Sequence, residues 1–370
     1  MNPFKYGSIV SGRDFCGRKE LLDHVTGHIQ GAQNIVVLGE RRIGKSSLVY
    51  EAVRNLKGTD ILYIDFLGIK SIDALCRRVL RAIVTLEKKS GWVTKIIKML
   101  PHLRPSMTID PITSLPVVTF DASLELKANS IQDLLDLIES LSRKKRFTVV
   151  FDEFQDIANV DESEEALALF RSKIQFHNGI PYVFVGSIRH KMEAIFNSPD
   201  SAFFKSAIPI TVAPLPFTEF SKFLTRKFKM GQRTVLKETF QQVFEIADNI
   251  SGDIQQFCEA LWEVTHENDE ISPDKLKDAL ELIFSREQKS YETFIGLLTD
   301  LQFKCLSALV RQGGKRVYSM DFIKAVGSHS TASVNRAITR MIALNILFKS
   351  GKEIRFVNPF FKLWLVPRGR

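Results

Sequence analysis

Residues Gly39-Glu40-Arg41-Arg42-Ile43-Gly44-Lys45-Ser46-Ser47 set two glycines, a lysine and paired hydroxyls at the spacing that a polyphosphate requires. Glycine lets the backbone approach an anion closely. The N–H groups of the loop, those of Arg41, Arg42, Ile43 and Gly44 among them, would then point at the phosphates, together with those of the helical turn that follows. Lys45 is the side chain for the β- and γ-phosphates. Ser46 is the hydroxyl for Mg²⁺, and Ser47 extends the cradle. The expected cofactors are ATP or ADP and Mg²⁺.

A phosphate cradle does not hydrolyse a nucleotide alone. One carboxylate must serve the Mg²⁺ shell and another must orient the attacking water. Phe147-Thr148-Val149-Val150-Phe151-Asp152-Glu153 offers both after an apolar run. Asp152 is the Mg²⁺ candidate and Glu153 the water-polarising candidate. A further apolar run ends in Val185-Gly186-Ser187-Ile188-Arg189. In a parallel sheet its end would lie beside the phosphate loop, so Ser187 is a candidate partner for the γ-phosphate or the water. Arg189 reads either as a phosphate contact, in the same site or in a neighbouring subunit of a nucleotide-dependent oligomer, or as a surface arginine at a helix start. Lys205 is a weaker candidate for sensing the γ-phosphate.

These residues need strands to carry them and helices to cover the strands. Apolar runs at 34–38, 61–66, 147–151, 181–186 and 208–212 have strand character, and amphipathic periods lie between them. Pro209 suits the start of a strand or a sheet edge. The alternation predicts an α/β three-layer domain over residues 1–214. Pro101, Pro105, Pro111 and Pro116 punctuate residues 100–127, where two short runs predict an exposed β-hairpin insertion. Trp92–Leu100 is amphipathic with a basic polar side; it reads as packing on the core or as a membrane-surface stretch. After Pro214 the strand pattern stops, and residues 215–290 read as an all-helical unit.

The 370 residues are 45% hydrophobic and 25% charged, as in ordinary soluble proteins. No apolar run approaches the roughly 18 residues of a membrane span, and the start of the chain lacks the layout of a signal peptide. Cys16, Cys76, Cys258 and Cys305 are scattered, which fits reduced thiols in a cytoplasmic protein. Neither they nor the seven histidines show a metal-ligand spacing, so no structural zinc is expected.

The charge is concentrated. Residues 301–370 contain 13 Lys or Arg against Asp321 and Glu353, a net +11, while the other 300 residues carry 38 basic and 40 acidic side chains. A basic module on a near-neutral body suggests a polyanion partner. Within residues 291–370, Tyr318–Val326 and Thr331–Leu347 read as two helices, followed by a hairpin around Ser350-Gly351. That order is a winged helix-turn-helix. On DNA, Ser333, Asn335, Arg336 and Arg340 would face the major groove, and Lys349, Lys352 and Arg355 would meet phosphates. The alternative is that this domain docks on a protein partner or on the rest of the chain.

Taken together, these motifs resemble the archaeal and bacterial ATPases of the STAND branch, relatives of the AAA+ ATPases. The resemblance rests on Asn2-Pro3-Phe4, Phe15-Cys16-Gly17-Arg18-Lys19-Glu20, the Gly39–Ser46 loop, Asp152-Glu153, Gly186-Ser187 and the closing Asn358-Pro359-Phe360-Phe361-Lys362-Leu363-Trp364. It implies a P-loop NTPase core with strand order 5-1-4-3-2, a helical lid and a winged helix, with Gly17 and Arg18 in a nucleotide-contact segment. Two departures stand out. Ser251-Gly252-Asp253-Ile254-Gln255 lacks the arginine that relatives often carry in the lid, and Lys205 stands where many have arginine. Two functions follow as expectations: a slow ATP-dependent switch that repositions its winged helix, or a DNA-binding AAA+-like ATPase such as an origin-recognition, loader or mobile-element helper protein. A kinase-like phosphotransferase is a third class, for which no acceptor-site motif is present.

Overall fold

Strand β1 (Ile35–Leu38) is buried along its whole length, and so are β5 (Phe147–Asp152) and β6 (Tyr182–Gly186). Strands apolar on both faces belong in the middle of a parallel sheet. The computed structural model, which describes residues 1–86, 105–109, 116–120, 126–328 and 330–366, places them there. With β2 (Asp60–Asp65) and β7 (Ile208–Thr211) they form one five-stranded sheet in the order β2-β5-β6-β1-β7. All pairings are parallel. Counted along the chain without the insertion, this is the expected order 5-1-4-3-2. Pro209 lies in β7 at the sheet edge, where a missing N–H costs little.

Period-two alternation splits the sheet between two cores. Val36, Leu38, Val149, Phe151, Tyr182 and Phe184 face one side. There they join the buried residues of α3 (Ile72–Leu86), α4 (Ala128–Ser142), α5 (Ser163–Ile174) and α6 (Arg189–Phe196). That side is rich in aromatic contacts, with Phe154 and Phe184 at 4.7 Å between ring centres. Ile35, Val37, Val150, Val183 and Val185 are buried outside that cluster. α1 (Lys19–Gln30) and α2 (Lys45–Arg54) pack against each other and against the sheet. The insertion forms the expected antiparallel hairpin, β3 (Pro105–Ile109) with β4 (Pro116–Phe120). Trp92–Leu100 lies outside the described residues. Among the described residues, no helix is long and apolar enough to cross a membrane.

The chain divides between Ala213 and Pro214, with Ile9–Ala213 as one unit. The second unit contains Pro214–Arg370 and also Met1–Ser8, which the sequence pattern assigns to the core. Local chemistry accounts for that difference. Phe4 stacks on Phe228 at 4.6 Å, Lys227 Nζ donates to the Pro3 carbonyl at 2.8 Å, and Asn2 donates to Glu263 at 2.8 Å. The helices of this unit are α7 (Phe217–Lys229), α8 (Lys237–Ile246), α9 (Ser251–Glu263) and α10 (Lys275–Gly296). The unit expected to be all-helical also contains a two-residue parallel ladder, β8 (Thr234–Val235) with β9 (Glu270–Ile271), too short for a period-two signal.

The C-terminal portion follows the predicted winged-helix order. α11 (Asp300–Gln312) opens with a Thr299/Gln302 capping box, α12 (Met320–Val326) with Ser319, and α13 (Thr331–Ala343) with Ser330. α13 stops four residues earlier than expected, because Asn345 turns at φ 56° and Leu347 already belongs to a strand. The wing is β10 (Leu347–Ser350) with β11 (Glu353–Phe356). α14 (Pro359–Leu365), capped by Asn358, buries Phe361 and Trp364 against Tyr291 of α10.

Gly314 anchors the wing. Ile354 N donates to its carbonyl at 3.0 Å, and a Cβ at this position would lie 1.7 Å from the Ile354 carbonyl oxygen. Gly314→Ala should therefore destabilise the second unit by about 1–3 kcal/mol through overpacking. A urea midpoint that does not move would refute this.

Candidate functional site

Leu38 is in register with Gly186, and Phe184 with Phe151, so the carboxyl ends of β1, β6 and β5 share one sheet edge. The 39–47 loop, Ser187 and Asp152-Glu153 converge there, as expected for ligand sites in open α/β sheets. Gly44 immediately precedes α2 with φ 98°, a backbone region that side chains rarely enter.

Lys45 is 5% exposed, and its Nζ donates to the Glu40 carbonyl at 2.9 Å. Burial lowers its pKa, an effect opposed by the charges of Glu153 and Asp152. Ser46 Oγ donates to Asp152 Oδ2 at 2.6 Å. The same oxygen accepts from the Tyr63 hydroxyl of β2. Burial raises the Asp152 pKa, while the hydrogen bonds from Ser46 and Tyr63 work against the rise. Burial and the Asp152 charge together push the Tyr63 phenol upward. Ser46 Oγ and Asp152 Oδ2 are hard oxygen donors at hydrogen-bond distance, a donor set that fits Mg²⁺.

Glu153 adopts φ 49°, uncommon for a residue with a Cβ, as the chain leaves β5. Its Oε2 accepts from Ser187 Oγ at 2.6 Å and from Gln155 Nε2 at 2.5 Å. Gln155 Oε1 in turn accepts from Ser187 N at 3.3 Å. Ser187 and Gln155 thus both bond one oxygen of the Glu153 carboxylate.

Other predicted residues have different neighbours. Arg18, at φ 58°, donates to the carbonyls of Ile43 at 2.8 Å and Ala213 at 2.9 Å, so its guanidinium braces the loop backbone. Ser47 Oγ accepts from Val10 N at 3.1 Å and ties the helix to the chain before α1. Arg41 is exposed, Arg42 sits at φ 62°, and the Ile43 side chain is buried. Arg189 begins α6 as an exposed side chain paired with Glu193 at 2.8 Å, the surface-arginine arrangement. Lys205 is exposed, with its ammonium 5.2 Å from the Phe204 ring centre. Two participants are not evident from the sequence motifs. Tyr63 lies on the neighbouring strand, where its alternation carries the only signal. Gln155 lies two residues past Glu153 and is legible only as a polar residue at a strand end.

On the winged helix, Asn335, Arg336 and Arg340 are exposed along α13, and Lys349 and Lys352 are exposed on the wing. Ser333 is half-buried at the capped start of the helix. Tyr318 donates to Asn335 Oδ1 at 3.1 Å. Lys315, Arg316, Tyr318, Lys349 and Lys352 line one recess, which adds three residues to the expected face. Arg355, expected to meet phosphate, instead pairs with Asp248 at 3.2 Å and is only 25% exposed. The reason is its position in β11, whose register turns it toward the α8–α9 connection rather than to the wing tip.

Residues 28–191 match the AAA domain family, and residues 289–367 match a family described as a probable winged helix domain. The chain carries an AAA-type ATPase domain followed by a C-terminal winged helix domain. This ATPase is similar to the Walker-type ATPase PABY2304 of Pyrococcus abyssi, at 18% identity and TM-score 0.63 over 95% of this chain and 96% of that one. It is also similar to the ORC1 protein of Aeropyrum pernix in complex with DNA, at 12% identity and TM-score 0.56 over 96% and 93%. At these identities the likeness is one of fold. No curated protein sequence matches the ATPase. The family matches do not narrow it to the STAND branch.

Tyr63→Phe removes one hydrogen bond to a buried carboxylate without changing the ring. The Tyr63 hydroxyl competes with the ion for Asp152 Oδ2, so the Mg²⁺ concentration that half-saturates ATP hydrolysis should fall about tenfold, the low end of what a hydrogen bond to a charged group contributes. Nucleotide affinity in EDTA should stay as in the wild type. An unchanged Mg²⁺ dependence would show that Tyr63 only fills space.

Proposed function

We propose that this ATPase acts on duplex DNA, binding it through the winged helix and coupling binding to ATP hydrolysis at the 39–47 loop. In this reading the loop N–H groups and Lys45 hold the phosphates. Ser46 and Asp152 hold Mg²⁺, which when bound offsets charge on the phosphate oxygens. Glu153, oriented by Ser187 and Gln155, polarises the attacking water.

The observation that carries the DNA assignment is the exposed basic face formed by α13, the wing and Lys315-Arg316, on a segment of net charge +11. Arg336 and Arg340 suit base edges in the major groove. Lys349 and Lys352 suit phosphates on either side. The similar ORC1 structure, described in complex with DNA, supports the same reading.

A second reading is a slow nucleotide switch whose winged helix docks on protein. It is favoured by the pairing of Arg189 with Glu193 and by Asp253, with no arginine, at the start of α9. Neither position then supplies an arginine that could stabilise transition-state charge.

Two experiments test these roles. Glu153→Gln keeps size and hydrogen bonding but loses the charge; ATP should still bind while turnover falls by a factor on the order of 10². Wild-type turnover in this variant would remove Glu153 from catalysis. For DNA, duplex affinity should fall steeply with salt. The double change Lys349→Ala with Lys352→Ala should make that fall shallower, by about one unit of slope for each phosphate no longer neutralised. Arg336→Ala with Arg340→Ala should cost about 1–3 kcal/mol for each base edge no longer read and leave ATP binding intact. If that double change alters the ATPase rate of a protein with no DNA affinity, the docking reading replaces the DNA one.

A further inference from the structure

A second cluster of chemistry-bearing side chains lies at the opposite end of the strands from the nucleotide site. Asp136 and Glu139 are three residues apart on α4, so they occupy one helix face. His177 follows α5 and precedes β6. One oxygen of Asp136, one oxygen of Glu139 and one ring nitrogen of His177 lie within 4.8 Å of one another. His177 is buried, with 7% of its surface exposed. Its Nδ1 shares a hydrogen bond with the Tyr182 hydroxyl at 2.7 Å, and its Nε2 is buried with no hydrogen-bond partner among the described residues. A buried, unpartnered ring nitrogen costs free energy unless something occupies it.

We propose that Asp136, Glu139 and His177 form a binding site for one divalent transition ion of the zinc type, remote from the ATP site. The donor set of one imidazole and two carboxylates is one such ions accept, with water completing the shell. Tyr182 bonded to Nδ1 would fix the ring so that Nε2 is the ligand atom, the role that outer partners play for metal-bound histidines. The two carboxylates balance the charge of the ion. The ion would join α4 to the turn between α5 and β6, and so brace the helical layer that covers the aromatic core.

Lys173 makes the site distinguishable from a plain ion pair. Its ammonium donates to both oxygens of Asp136 at 2.7 Å. It therefore competes with a metal for one of the three ligands. A metal site and a plain ion pair make opposite predictions for removal of this lysine.

The test uses the full chain, stripped with a chelator and titrated with ZnCl₂ in excess Mg²⁺, so that the hard-oxygen site at Ser46 and Asp152 stays occupied. Calorimetry should show one zinc per chain that Mg²⁺ does not displace, and the thermal midpoint should rise with zinc. His177→Gln and Glu139→Gln should each weaken zinc binding at least tenfold. Lys173→Met should strengthen it. Melting without metal reports whether His177→Gln still folds; Glu139→Gln and Lys173→Met change less buried positions and decide the matter if it does not. Absence of saturable zinc binding would overturn the site. So would zinc affinity equal to wild type in Glu139→Gln and Lys173→Met, since the zinc would then be held elsewhere, as by a cysteine. ATP binding should be unaltered in all three variants, which keeps the zinc site separate from the fate of the nucleotide assignment.

Discussion

Asp152 Oδ2 accepts hydrogen bonds from Ser46 at the start of α2 and from Tyr63 on β2. Through one buried oxygen the phosphate loop is tied to two neighbouring strands. A carboxylate in such surroundings is tolerable only when its lone pairs are used. That requirement fixes much of the rest. β5 must be buried on both faces, with β2 beside it in parallel register, so that Asp152 and Tyr63 meet. β6 must separate β5 from β1, so that Glu153 and Ser187 face each other next to the loop. Arg18 then braces the loop backbone from outside at the Ile43 carbonyl.

The second unit depends instead on apolar anchors and helix caps. Phe4 seats the first eight residues on Phe228 and Trp262, while Phe361 and Trp364 seat the last helix on Tyr291. Residues 1–8 and α14 are thereby held by aromatic packing within one unit. Thr299, Ser319, Ser330 and Asn358 satisfy N–H groups at the starts of four helices. On the exposed face of α13, Tyr318 donates to Asn335 and Arg336 donates to Ser333.

The legible parts of the site are those encoded within a few consecutive residues. The phosphate loop and the Asp152-Glu153 pair are local motifs, and the strands before them are apolar enough to announce themselves. The winged-helix order is legible from caps and periodicity, and the charge of the segment from its composition. The neighbours that stay hidden are those supplied by another element or turn. Ser47 meets Val10, Arg189 meets Glu193, and Arg355 meets Asp248. Tyr63 and Gln155 enter the site only through strand register and a turn conformation.

The sequence by itself therefore determined the element types, the strand-loop-helix around the Gly39–Ser46 pattern and the segregation of positive charge, because each is a property of neighbouring residues and their period. Only the tertiary structure decided which polar groups share a buried hydrogen bond. It brought Asp136, Glu139 and His177 together although no spacing along the chain suggests a site, and it grouped Met1–Ser8 with the second unit rather than with the core they precede. The physical reason is the same in each case. Desolvated polar atoms and large aromatic rings choose partners by distance in space, and the chain reports only distance along itself.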